Sequence, residues 1–110
     1  MKNTDQLIKR TMKAVENHPI HTFWNVHKRS ECKDIQFCEI RFENVDNSEM
    51  AFIFAHDEVT AIAYTDKNGG YKWKGSCDLT KTTADAFMMW VGIKLNELYE
   101  FAESLEPAGV

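Results

Sequence analysis

The chain has 110 residues, 13 Lys/Arg against 17 Asp/Glu, and a formal net charge of −4. This is one domain's length, enough for a single core, and 44% hydrophobic content excludes a disordered chain. The acidic balance works against nucleic-acid phosphates as partners, and no apolar run approaches the roughly 18–20 residues of a membrane span.

The charge is unevenly spread. Residues 1–30 carry six Lys/Arg and two Asp/Glu, a local +4, whereas residues 31–110 carry seven against fifteen, a local −8. Most of the acidic excess lies within 31–66. The opening MKNTDQLIKR lacks the continuous apolar stretch of a signal peptide, so the expected location is cytoplasmic.

Residues 4–17 read as an amphipathic helix, with Leu7, Ile8, Thr11, Met12 and Val15 on one face and Lys9, Lys13 and Glu16 opposite. Asn3 and Gln6 make a capping box, and Asn17-His18-Pro19 ends the element. Period-two patterns follow. Residues 20–29 place Ile20, Thr22, Trp24 and Val26 on one strand face. Residues 35–43 turn Cys38, Ile40 and Phe42 inward and Glu39, Arg41 and Glu43 outward. Residues 49–56 and 59–65 are apolar on both faces, as central strands are, with a tight reversal at Asp57-Glu58 between them. Asn68-Gly69 is a hairpin turn signal, and 71–76 is a last strand whose Tyr71 and Trp73 point to the core.

Residues 82–105 form a long helix, because Ala84, Met88, Val91, Leu95, Leu98, Ala102 and Leu105 recur at alternating spacings of four and three. Asp78 or Thr80 is placed to cap it. Phe87, Trp90 and Phe101 widen the stripe. Ala86, Met89 and Ile93 lie roughly opposite it, where a helix packed on one surface should be polar. These three predict a second packing surface, self-association as a homodimer being the first choice. Gly92, mid-helix at a cost of about 1 kcal/mol, reads either as a close backbone approach or as drift on a permissive surface.

The expected fold is therefore α+β: a five-stranded antiparallel meander with an N-terminal and a long C-terminal helix packed on it (α-β5-α), in one domain over 1–110. In shape and charge this layout is similar to that of type III secretion chaperones, from which it departs because the Asp57-Glu58 turn leaves no room for a helix between the middle strands. Small acidic immunity proteins and phage-encoded inhibitors share the same character.

Chemistry is sparsely signalled. Cys32, Cys38 and Cys77 are odd in number and follow no paired spacing, which fits a reducing compartment. His21 and His27 share a strand face but lie about 20 Å apart at about 3.3 Å per residue, too far to share an ion. His56-Asp57-Glu58 sits at a hairpin tip and reads as solvated charge. No nucleophile elbow, P-loop or dinucleotide fingerprint occurs. No catalytic residue, metal or cofactor is assigned.

The functional expectation is a small, acidic, non-catalytic protein-binding module that blocks or escorts a partner, in the manner of an inhibitor, immunity protein or chaperone. Glu39, Glu43, Asp46 and Glu49 form an acidic stripe able to steer a basic partner, with Phe37 as its apolar anchor. The alternative is a small apolar ligand held between sheet and C-terminal helix, in a cavity lined by Trp24, Phe52, Phe54, Tyr64, Trp73 and Trp90.

Overall fold

The amphipathic start folds as α1, Thr4–Glu16. It buries Leu7, Ile8, Thr11 and Val15, and the Thr11 hydroxyl donates to the Leu7 carbonyl at 2.7 Å, which satisfies that hydroxyl where it is buried. The helix closes with Asn17 N–H on the Lys13 carbonyl at 3.0 Å. In the computed structural model the described residues are 4–22, 25–29, 37–43, 49–65 and 70–105.

The strand expected from residue 20 starts later. Pro19–Thr22 is a short 3-10 helix, set by Pro19, whose fixed φ favours a turn, and by His18, whose Nδ1 accepts the Ile20 N–H at 3.1 Å. Ile20 is fully buried from this turn rather than from a strand.

Five segments then pair as neighbours in chain order, each antiparallel to the last: β1 Asn25–Arg29, β2 Phe37–Glu43, β3 Glu49–Ala55, β4 Glu58–Thr65 and β5 Gly70–Asp78. The short edge strand β1 has five residues, against seven to nine in each of the other four. Between β3 and β4 the turn residues are His56 and Asp57, one position earlier than the sequence suggested, and His56 takes φ +55°. β5 is bulged: Gly75 pairs with Ala61 while Trp73 pairs with Ile62, so Lys74 is the extra residue.

A second 3-10 helix, Leu79–Lys81, separates β5 from α2, Ala84–Leu105. Asp78 caps this short turn, accepting from the Thr80 N–H at 2.9 Å and its hydroxyl at 2.6 Å. The long helix is capped instead by Thr83, whose Oγ1 accepts the Ala86 N–H at 3.1 Å. The α+β class with two helices and an antiparallel sheet holds, and the two 3-10 turns alter the expected order.

Both the sheet and α2 bury one face in a common core. Cys38, Ile40 and Phe42 of β2, Met50, Phe52 and Phe54 of β3 and Val59, Ala61 and Ala63 of β4 meet Phe87, Val91, Leu95 and Leu98 of α2. Full burial of each large side chain contributes about 1.5–3 kcal/mol. Rings fill the layer: Phe87 stacks on Trp90 with centroids 5.8 Å apart, and Phe52 meets Trp90 edge-on at 6.1 Å. No described helix is long and apolar enough to cross a membrane.

Candidate protein-interaction surfaces

Period two decides what lies on the other side of the sheet. With Ile40, Phe52 and Ala61 turned to the helices, the alternate residues form a second face. Cross-strand pairing aligns Arg41, Ala51, Ile62 and Trp73 in one row across β2 to β5, a span of about 14 Å at about 4.8 Å per strand. Trp73 is 70% exposed.

This corrects the expectation that Trp73 points to the core. The bulge puts Lys74 on the covered side, where its Nζ lies 5.3 Å from the centre of the Phe101 ring, and leaves the indole on the open side.

The acidic stripe is also built differently from its sequence reading. Glu39 and Glu49 both lie on this open face, but Arg41 sits between them. Its Nη2 is 2.8 Å from Glu39 Oε1 and its Nη1 3.6 Å from Glu49 Oε2. The side chains are 12% (Glu39), 21% (Arg41) and 26% (Glu49) exposed. Glu39 is therefore a part-buried, ion-paired residue, not a solvated steering charge. Phe37, half-buried, occupies the same face opposite Ala55. Glu43 is registered opposite Glu49, with its side chain outside the described set, and Asp46 lies outside the described residues altogether.

Beside the trio is a cleft of ≈ 260 Å³, lined by Glu39, Arg41, Glu49, Met50, Ala51, Ile53 and Ile62. By register among the residues whose side chains are described, this face carries four carboxylates (Glu39, Glu49, Glu58, Asp78) and one guanidinium (Arg41). Four against one leaves a net −3. Sequence reasoning missed Ile53, Ile62 and Trp73 as surface residues. The available signal was that β3 and β4 are apolar on both faces, which leaves one apolar face open if both helices lie on the same side.

The outer side of α2 is a second surface. Ala86 is exposed, Met89 is 71% and Ile93 55% exposed, and Gly92 has nothing within 4 Å of where a Cβ would stand. Among the described residues none makes the close approach that Gly92 would permit. From Ala86 to Asn96 the exposed positions of the helix (86, 89, 92, 93 and 96) carry no charge.

The six aromatics expected to line a ligand cavity are not brought together. Phe52, Phe54 and Trp90 are packed in the ring layer, Tyr64 and Trp73 lie on the opposite sheet face, and Trp24 is outside the described residues. His18 is used structurally, joining the Pro19 turn to α2 through Asn96 Oδ1 at 3.0 Å, with its ring edge-on to Tyr99. Burial, then the neighbouring Asp78 carboxylate, pushes the Cys77 thiol up from its ordinary range, a direction that opposes use as a nucleophile. Among the described residues no three His, Cys, Asp or Glu side chains converge to hold a metal ion. No protein-family model, curated protein or solved structure matches this chain.

Proposed function

We propose that the chain is a non-catalytic protein-binding module that self-associates through α2 and presents its open sheet face to a partner protein. The observation that carries this reading is where the exposed large apolar side chains lie. Met89 and Ile93 are on the outer side of the helix layer, and Trp73 is on the outer side of the sheet layer. Contiguous exposed apolar surface is a mark of interaction sites, and these side chains are the large apolar groups each face offers to one. Two of them, back to back, suit a protein that pairs with itself on one side and blocks or escorts a partner on the other.

Self-association gives Ala86, Met89 and Ile93 a common role. In a two-fold arrangement the patch meets its own copy, and the lack of a side chain at Gly92 lets two helix backbones approach closely. Sedimentation tests this reading. The unmodified protein should sediment as a dimer at micromolar concentration, and Met89→Glu as a folded monomer, because each dimer would bury two unpaired carboxylates. A monomeric unmodified protein at high micromolar concentration overturns the self-association half of the proposal.

A further inference from the structure

We infer that the open sheet face docks a protein segment presenting a lysine or arginine beside apolar side chains, with the cation held between Glu49 and the Trp73 ring. The inference rests on the protein-binding reading above and specifies the chemistry of the partner.

Three observations point to that occupant. The cleft is small: ≈ 260 Å³ is below the roughly 300–1,000 Å³ of small-molecule sites and suits a single inserted side chain. Its floor, Ala51 with Ile53 and Ile62, is apolar and matches the aliphatic stem of a lysine or arginine, which packs on such surfaces while its head stays polar. The charge is one-sided. Arg41 faces two carboxylates within the cleft, and the face as a whole carries net −3, so an acidic segment is repelled and a basic one drawn in.

Trp73 supplies what charge lacks. It stands one strand beyond Ile62 in the same row, and its exposed indole is the strongest of the aromatic faces for a cation. Aromatic anchors of this kind dominate interface energetics. Glu49 is the more exposed of the two carboxylates and the more distant from Arg41, hence the one placed to accept an incoming ammonium or guanidinium. A second copy of the chain is a less suitable occupant, because a two-fold contact would set this face against itself and bring two patches of net −3 together.

The probe is a short amphipathic peptide of leucine and lysine, titrated into 15N-labelled full-length protein and followed by amide and indole N–H shifts. The same peptide with glutamate for lysine is the control. The expected result is saturable shifts at Ala51, Ile62 and Trp73 with the lysine peptide only. Trp73→Ala and Glu49→Gln should each weaken binding by about fivefold or more, the size of a lost cation–π or charge contact. Both substitutions are on the exposed face, and retained amide dispersion verifies that the fold survives. No binding, equal binding of the glutamate peptide, shifts confined to α2, or affinity indifferent to both substitutions overturns the inference. Repeating the titration on Met89→Glu separates the two proposals. A variant that is monomeric and still binds the peptide keeps the sheet face and its dimer surface independent. A dimer that ignores the peptide leaves self-association standing and removes this inference alone.

Discussion

Lys94 crosses directly over Gly75: a Cβ added to the glycine would stand 3.0 Å from both Cε and Nζ of the lysine. Lys94 is part-buried, its ammonium held 3.2 Å from Glu97 Oε1, and Gly75 has φ +136°, a region L side chains rarely adopt. Gly75→Ala should therefore cost about 1–3 kcal/mol, the usual size of such backbone strain, measured by urea denaturation. Adding Lys94→Ala clears the contact but not the torsion, so the double variant should recover little. Full recovery would show that crowding, not backbone geometry, requires the glycine.

Glu39→Lys should destabilise the fold by about 1–2 kcal/mol, between the values for exposed and buried ion pairs, because it sets a cation against part-buried Arg41. Glu49→Gln should cost less than about 1 kcal/mol, since that pair is longer and more exposed. Comparing the two urea midpoints checks the order. Equal, near-zero effects would make Glu39 the solvated charge that its sequence pattern suggested.

His56 holds φ +55° in a two-residue hairpin turn, a position that asparagine or glycine occupies at lower cost. His56→Asn should raise stability by about 0.5–1 kcal/mol and His56→Val should lower it. A melting temperature that moves the other way for the asparagine variant would assign the histidine side chain a contact of its own.

Alkylation should separate the cysteines by environment. Cys38 is buried and should react only on unfolding. Cys77 is part-buried with a raised thiol pKa. A raised pKa means the protonated thiol persists to higher pH, so the thiolate that reacts with iodoacetamide should appear later on the pH scale than in a free peptide. Mass spectrometry of timed samples across pH reads this directly. Reaction of Cys77 at the rate of an unfolded control would contradict it.

The sequence by itself determined the two helices, the antiparallel character of the sheet between them, and the inward faces of β2 and α2. Strict alternation in β2 identified Cys38, Ile40 and Phe42 as core, and the four-three spacing of α2 identified Val91, Leu95 and Leu98, all of which are buried. It also marked Met89 and Ile93 as surplus to a one-sided helix, and both are exposed. Such patterns are legible because side-chain direction along a helix or strand follows from backbone period alone. Three decisions belonged to tertiary structure. Trp73 faces solvent because the bulge at Lys74 and the pairing with Ile62 set the face of β5, and register is a property of two strands. Glu39 and Arg41 pair within β2, two residues apart on one face, but only the alignment of β2 with β3 brings Glu49 to the other side of Arg41 and leaves all three part-buried. The open sheet face exists because α1 and α2 lie on the same side of the sheet, and no local period states on which side a helix will settle.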